Sequence, residues 1–307
     1  MKHLIAIADL LPSDVRDLLD LAHAVKRDRA DYRQALSGKT LAMIFMKSST
    51  RTRVSFEVGM HQLGGTALFL SSRDVQIGRG EPISDTAAVL SRYVDGIMAR
   101  TFAHQDVVDL AAYGSVPVIN GLTDFNHPCQ ALADLQSIEE CFGIGSLQGL
   151  TMAYVGDGNN MAHSLMSACV KTGMHFRCAS PPDYRMDRGA VLRAEGQLHE
   201  MGSTLLEMGD PAEAVRGADV VYTDVWASMG QEEEHQKRVR DFQGFCVDEG
   251  LMALSAPKAV FMHCLPAHRG EEVSAGVCDG PQSIIFDQAE NRLHMQKAIM
   301  IRLMGGR

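Results

Sequence analysis

Ser48-Ser49-Thr50-Arg51-Thr52-Arg53 gathers hydroxyls and guanidinium groups directly behind an apolar run, where a helix opens. The free N–H groups of a helix's first turn carry the positive end of its dipole and suit an oxyanion. Hydroxyls at Ser49, Thr50 and Thr52 add donors, and Arg51 offers a planar, two-pronged charge that matches phosphate. Taken alone, a run of this kind is more often a well-capped helix with solvated arginines. A second group is His127-Pro128-Cys129-Gln130. Proline is sterically natural in a first helical turn. It sets His127 just outside the helix, from where His127 and Gln130 can face one small carbonyl. A neutral donor there steadies the negative charge that grows on a carbonyl oxygen under attack, although a lone histidine is more often structural.

Three further segments follow apolar runs. Asp224 opens Asp224-Val225-Trp226-Ala227-Ser228-Met229-Gly230; by itself an aspartate after a strand is commonly a cap or turn residue. His263-Cys264-Leu265-Pro266 puts a thiol beside an imidazole. A buried cysteine is usually inert filling, and two adjacent ligands without a second pair are poor evidence for zinc. Val155-Gly156-Asp157-Gly158-Asn159-Asn160 has the look of a dinucleotide loop but lacks the third glycine of G-x-G-x-x-G. Asn160 is there a helix cap in the plain reading.

The elements that must hold these groups alternate. Residues 40–46, 67–70, 96–98 and 116–119 read as strands in the first half. Residues 150–155, 175–179, 204–207, 220–223, 259–262 and 283–286 do so in the second. Helical periodicity lies between them. One helix has Ser13 as its expected N-cap, one runs from about Ser49 to Leu63 before Gly64-Gly65, one opens near Asn160, and the last covers about 287–304. Strands alternating with helices imply an α/β chain of two doubly wound domains, each a parallel sheet flanked by helices. The seam is expected at the helix from Pro128 to about Cys141. That gives domains at 1–140 and 141–287, with the C-terminal helix, 288–307, packing back onto the first. In such sheets ligands sit at the carboxyl ends of strands, and each segment above falls at such an end.

Composition narrows the class. The chain has 307 residues, enough for two cores, with 46% hydrophobic and 22% charged residues. A formal charge of −9 argues against nucleic acid as the main partner and requires any phosphate site to be locally basic. No apolar run approaches a membrane span. The first residues lack a basic, signal-like head. Seven cysteines without a CxxC pair fit reduced thiols rather than a disulfide framework or structural zinc. The expectation is a cytoplasmic protein.

Ser49-Thr50-Arg51-Thr52-Arg53 is similar to the phosphate signature of the aspartate and ornithine carbamoyltransferase family, with Lys47 ahead of it as is common in the ornithine branch. His127-Pro128-Cys129-Gln130 resembles the family's His-Pro-x-Gln motif, which binds the carbamoyl group. Asp224…Ser228-Met229-Gly230 and His263-Cys264-Leu265-Pro266 resemble motifs of the ornithine branch; the aspartate branch lacks the first and carries a variant of the second without the cysteine. The resemblance runs in order from Ser49 to Arg292. It implies that Ser49, Thr50, Arg51, Thr52, Gln76, Arg100, His127, Gln130 and Arg292 bind carbamoyl phosphate. It implies that Asn160 holds the carboxylate of L-ornithine, that Asp224 pairs with its α-ammonium, that Ser228 and Met229 shape the pocket, and that Cys264 and the Leu265 carbonyl lie beside the reacting amine. Arg51, Arg100, His127 and Cys264 are the groups assigned to catalysis. No cofactor and no metal are implied, and a homotrimer, or a multiple of trimers, is the expected assembly, with 47–76 shared between subunits.

Nothing in the sequence looks like a covalent nucleophile with its own base, so direct attack of the side-chain amine on the carbamoyl carbon is expected. Carbamoyl phosphate is expected to bind first, and the 224–230 loop to swing in with ornithine. A sibling using N-acetylornithine, putrescine or another amine is the nearest rival; an acetylated α-nitrogen would give Asp224 nothing to pair with. A nicotinamide-dependent dehydrogenase shares the α/β layout but lacks the phosphate fingerprint. A catalytically dead binding module does not explain why every chemistry-bearing position is filled.

Overall fold

The computed structural model describes residues 1–72, 80–227 and 234–305. The chain forms two compact units, 1–136 with 291–307, and 137–290. The first contains α1 (Pro12–Arg27), β1 (Thr40–Phe45), α2 (Thr50–Gln62), β2 (Thr66–Ser71), α3 (Ile83–Leu90), β3 (Gly96–Arg100), α4 (His104–Tyr113) and β4 (Val118–Leu122). Helix α5 (Pro128–Phe142) begins in it and ends in the second. The second continues with β5 (Thr151–Val155), α6 (Asn160–Thr172), β6 (His175–Ala179), α7 (Arg188–Glu195), α8 (Leu198–Met201), β7 (Leu205–Met208), α9 (Pro211–Val215) and β8 (Val220–Thr223). It then has α10 (His235–Asp241), α11 (Glu249–Met252), β9 (Val260–His263) and α12 (Ala275–Cys278). Helix α13 (Ile285–Met304) returns to the first unit.

Both sheets are parallel. The first has four strands in the order β2-β1-β3-β4, the second five in the order β7-β6-β5-β8-β9. The central strands β1, β3 and β5 are near-continuously apolar because helices cover both faces. Ala42, Ile44, Ile97, Ala99 and Val118 form the strand side of one core. Val155, Val221, Phe261, Trp226 and Phe242 belong to another. Burying each large side chain stabilises its unit by roughly 1.5–3 kcal/mol. Each strand order reverses at one point, between β1 and β3 in the first sheet and between β5 and β8 in the second. In open parallel sheets, ligands are taken up outside the carboxyl ends of the strands at such a point, where the following helices leave to opposite faces.

Three local expectations are corrected. Helix α1 starts at Pro12, not after a Ser13 cap; proline fits the first helical position, and the Asp14 carboxylate accepts from the Leu11 N–H at 3.2 Å. The apolar run 283–286 is not a strand. Ser283 makes an isolated bridge to Phe261, and the helix opens immediately at Ile285, two residues before the expected start. A four-residue apolar run does not by itself distinguish strand from helix. Asn159, not Asn160, caps α6: its Oδ1 accepts from the N–H groups of Met161 and Ala162, and Asn160 is the first helical residue.

Candidate active site

In the first unit the chemistry collects at the switch point between β1 and β3. The Ser49 hydroxyl accepts from the Thr52 N–H at 3.3 Å, an N-cap that fixes the first turn of α2 directly behind β1. Thr52 is fully buried, and its hydroxyl accepts from the Arg292 guanidinium at 2.7 Å. Arg292 lies 240 residues along the chain, so α13 adds a cation to the N-terminal end of α2. Thr50 and Arg51 are exposed on that turn. Arg53 has other work: it pairs with Glu57 at 3.1 Å and lies over the Phe69 ring, 3.7 Å from its centroid. Arg100 is buried as the last residue of β3. Lys47 is buried, paired with Asp124 and set over the Phe102 ring.

His127 stands just before α5 and is buried. Burial, and then Arg292, Arg100 and Arg51, hold its imidazole well below the usual histidine range. It is therefore a neutral ring near three guanidinium groups at pH 7. Gln130 donates from Nε2 to Asp134 at 2.8 Å, which turns its amide and leaves Oε1 buried without a hydrogen-bond partner. That oxygen can accept from a carbamoyl NH2. Cys129 donates to the Asn120 carbonyl, and burial pushes its thiol up to about 12, so it is packing.

In the second unit the chemistry collects between β5 and β8, with β9 beside them. Asp224 is buried directly after β8. Its Oδ1 accepts from the Cys264 thiol at 3.0 Å and from the Val225 N–H at 2.8 Å, and its Oδ2 accepts from Asn159 Nδ2 at 3.1 Å. The Tyr154 hydroxyl donates to Asn159 Oδ1 at 3.3 Å. Asn159 therefore clamps Asp224 while capping α6. Asn160 sits on the first turn of α6.

His263 is fully buried at the end of β9. Its Nδ1 accepts from the Leu265 N–H at 2.8 Å, and its Nε2 lies 3.3 Å from Glu272 Oε1. This holds Leu265 at φ 60, a left-handed conformation rare for leucine, with a cis bond to Pro266. Asp224, His263 and Cys264 each offer a donor atom within 4.8 Å of the others. Beyond Asp224, the buried Arg238 donates to Asp157 Oδ2 at 2.6 Å and to the Trp226 carbonyl at 2.8 Å, and Trp226 stacks on Phe242.

Thus the first unit brings together Ser49, Thr50, Arg51, Thr52, Arg100, His127, Gln130 and Arg292. The second brings together Asp224, Cys264 and Leu265, with Asn160 at the neighbouring strand end. Gln76, Ser228 and Met229 lie outside the described residues. Sequence reasoning missed Asn159, Asp157 and Arg238. Asn159 was visible only as one of two adjacent asparagines, either of which could begin the helix; the Arg238–Asp157 pair spans 81 residues and left no local signal.

Residues 2–140 match the model of the aspartate/ornithine carbamoyltransferase carbamoyl-P binding domain, and residues 148–303 that of the Asp/Orn binding domain. The chain is 55% identical over 305 residues to an ornithine carbamoyltransferase of Oceanobacillus iheyensis, covering 99% of this chain and 94% of that one. It is 57% identical over 305 residues to one of Methanothermobacter thermautotrophicus, covering 99% of each. Among solved structures, ornithine carbamoyltransferase from Pyrococcus furiosus superposes with a TM-score of 0.95 at 52% identity, covering 100% of this chain and 98% of that one. On these two domain matches and these full-length relatives, the chain belongs to the aspartate/ornithine carbamoyltransferase family.

Proposed function

We propose that the protein transfers the carbamoyl group of carbamoyl phosphate to the side-chain amine of L-ornithine, releasing L-citrulline and phosphate. One observation carries the reading: a neutral, buried His127 among Arg51, Arg100 and Arg292 at the N-terminal end of α2. Such a group suits an acyl phosphate, which has a carbonyl to polarise and a phosphate to release. The first turn of α2, with Ser49, Thr50 and Thr52, and the three arginines take the phosphate, with Gln76 as a further contact. His127 donates to the carbamoyl oxygen, and Gln130 Oε1 accepts from the carbamoyl nitrogen.

Ornithine is assigned to the second unit. Asp224 takes its α-ammonium, Asn160 its carboxylate, Ser228 and Met229 line its chain, and Cys264 with the Leu265 carbonyl flanks the δ-amine. A free alkylamine has a pKa of about 10.4, so at pH 7 only about one molecule in 2,500 is nucleophilic. The neutral amine attacks the carbamoyl carbon, a C–N bond forms, and the C–O bond to phosphate breaks. The proton that the amine sheds passes to the departing phosphate, and the arginines stabilise the charge that grows on that group. Holding the two reactants in line contributes about 7–11 kcal/mol.

The enzyme is assigned to the cytoplasm as a homotrimer. Light scattering after size-exclusion chromatography should give three times the chain mass. The substrate is tested by citrulline-type product formation with ornithine, N-acetylornithine and putrescine in parallel. Ornithine should have the highest kcat/KM; a higher value for either competitor overturns the assignment.

A further inference from the structure

His268, Glu271 and Glu272 occupy one turn after β9, and each offers a donor atom within 4.8 Å of the other two. His268 Nδ1 lies 3.9 Å from Glu271 Oε2 and 3.7 Å from Glu272 Oε2. Ligands bound to a zinc-class ion at about 2.0–2.1 Å stand about 3.3 Å apart in a tetrahedron. The two carboxylate oxygens thus need to approach the imidazole by only about half an ångström to share an ion with it.

A second observation points to a ligand. Glu272 is fully buried, and its Oε2 has no hydrogen-bond partner. Its Oε1 is engaged, accepting from the His268 N–H and facing His263 Nε2 at 3.3 Å. A buried carboxylate oxygen without a donor is costly. Here it lies beside a second carboxylate and an imidazole nitrogen, and a dication would relieve the repulsion between the two carboxylates. Of the neighbouring cations, Arg269 is committed to Asp279 through two bonds, Nε to Oδ2 at 2.8 Å and Nη2 to Oδ1 at 2.5 Å.

The support around the turn is already built. Glu271 N–H donates to the His268 carbonyl, Gly270 N–H to the Val273 carbonyl, and Val247 N–H to the Glu272 carbonyl. His235, the first residue of α10, places Nε2 3.1 Å from Glu271 Oε2 and orients that carboxylate from outside, as outer partners of metal ligands do.

We propose that His268, Glu271 and Glu272 form a binding site for one zinc-class divalent cation, with His235 as its outer partner. One imidazole and two carboxylates suit zinc, cobalt or manganese better than a thiolate-seeking ion, and three protein ligands leave a position for water. A bound ion would fasten the start of α10 to the turn after β9. The proposal is independent of the transferase reading.

Cobalt(II) titration of the whole chain, followed by visible absorption, tests it. One equivalent should produce saturable ligand-field bands of a nitrogen and oxygen donor set, with no thiolate-to-cobalt charge transfer. His268→Ala and Glu271→Gln, both at partly exposed positions, should each weaken binding at least about tenfold while metal-free melting stays unchanged. Zinc should displace the cobalt and raise the melting temperature of the parent chain more than that of either variant. Absence of saturable bands, a charge-transfer band assigning the ion to Cys264, or undiminished affinity in both variants would overturn the site.

Discussion

Arg51 and His127 have opposite relations to solvent, and each gives its own experiment. Arg51 is exposed on the first turn of α2, so Arg51→Ala should leave folding intact. If the guanidinium holds the transferred group's phosphate, that variant should lose at least about 3 kcal/mol of transition-state stabilisation, a fall of roughly two orders of magnitude in kcat/KM. A near-normal rate in a steady-state assay would remove the phosphate assignment. His127 is buried and its folded-state pKa is depressed, whereas the unfolded chain's histidine titrates near about 6.5. The unfolded state therefore binds the extra proton first as pH falls. Its contribution to stability is complete above about 6.5 and declines towards the lower folded pKa, by at most about 1.4 kcal/mol per pH unit. His3 and His104 are lowered in the same direction, mainly by burial, and add to the trend. Calorimetric melting from pH 7.5 to 5 should show the decline in the parent chain and a shallower one in His127→Gln. Equal slopes would mean that His127 is not held neutral.

The ends of strands and the helices that follow them decide what these residues can do. Ser49 caps α2 and Asn159 caps α6, and each cap is worth about 1 kcal/mol. Asn159 also donates to Asp224, so Asn159→Ala should cost more than the cap. The expected result is a rise in KM for ornithine with KM for carbamoyl phosphate unchanged, because Asp224 loses the clamp that aims it. Equal rises in both constants would mark the loss as general destabilisation. At this scale the sequence was mostly readable: β1 to β9 fall within two residues of the apolar runs that announced them, except that β4 ends three residues beyond its run. It failed where the local signal was ambiguous. Ile284, Ile285 and Phe286 are apolar enough for a strand, yet Ile285 and Phe286 open α13 directly behind Ile284, because a short run carries no period. The adjacent asparagines 159 and 160 could each begin a helix, and only backbone geometry separated the cap from the first helical residue.

At the scale of the molecule, each unit carries its own parallel sheet, its own switch point and its own cluster of chemical groups. The proposed reaction needs one substrate from each cluster, and we expect them to bind in order, carbamoyl phosphate first. Calorimetric titration with ornithine should give weak heat alone and tight binding in the presence of a non-reacting phosphonate analogue of carbamoyl phosphate. Undiminished affinity for ornithine alone would exclude ordered binding. The seam expected after 140 differs from the observed division at 136/137 and 290/291, which falls inside α5 and α13. A helix that runs on through the division has no cap or breaker in its sequence to mark it.

By itself the sequence determined which chemical groups exist and which backbone elements present them. Hydroxyls, arginines, the histidine and the acidic residue lie at strand ends, and strand-helix alternation obliges the sheets to be parallel, because both are properties of neighbouring residues. Tertiary structure alone decided their company. Arg292 reaches Thr52 across 240 residues, burial and three guanidiniums make His127 neutral, Asn159 and Cys264 share the carboxylate of Asp224, and a buried oxygen of Glu272 faces His268. Each of these depends on distance through space and on exclusion of water, and neither quantity is defined until the chain has folded.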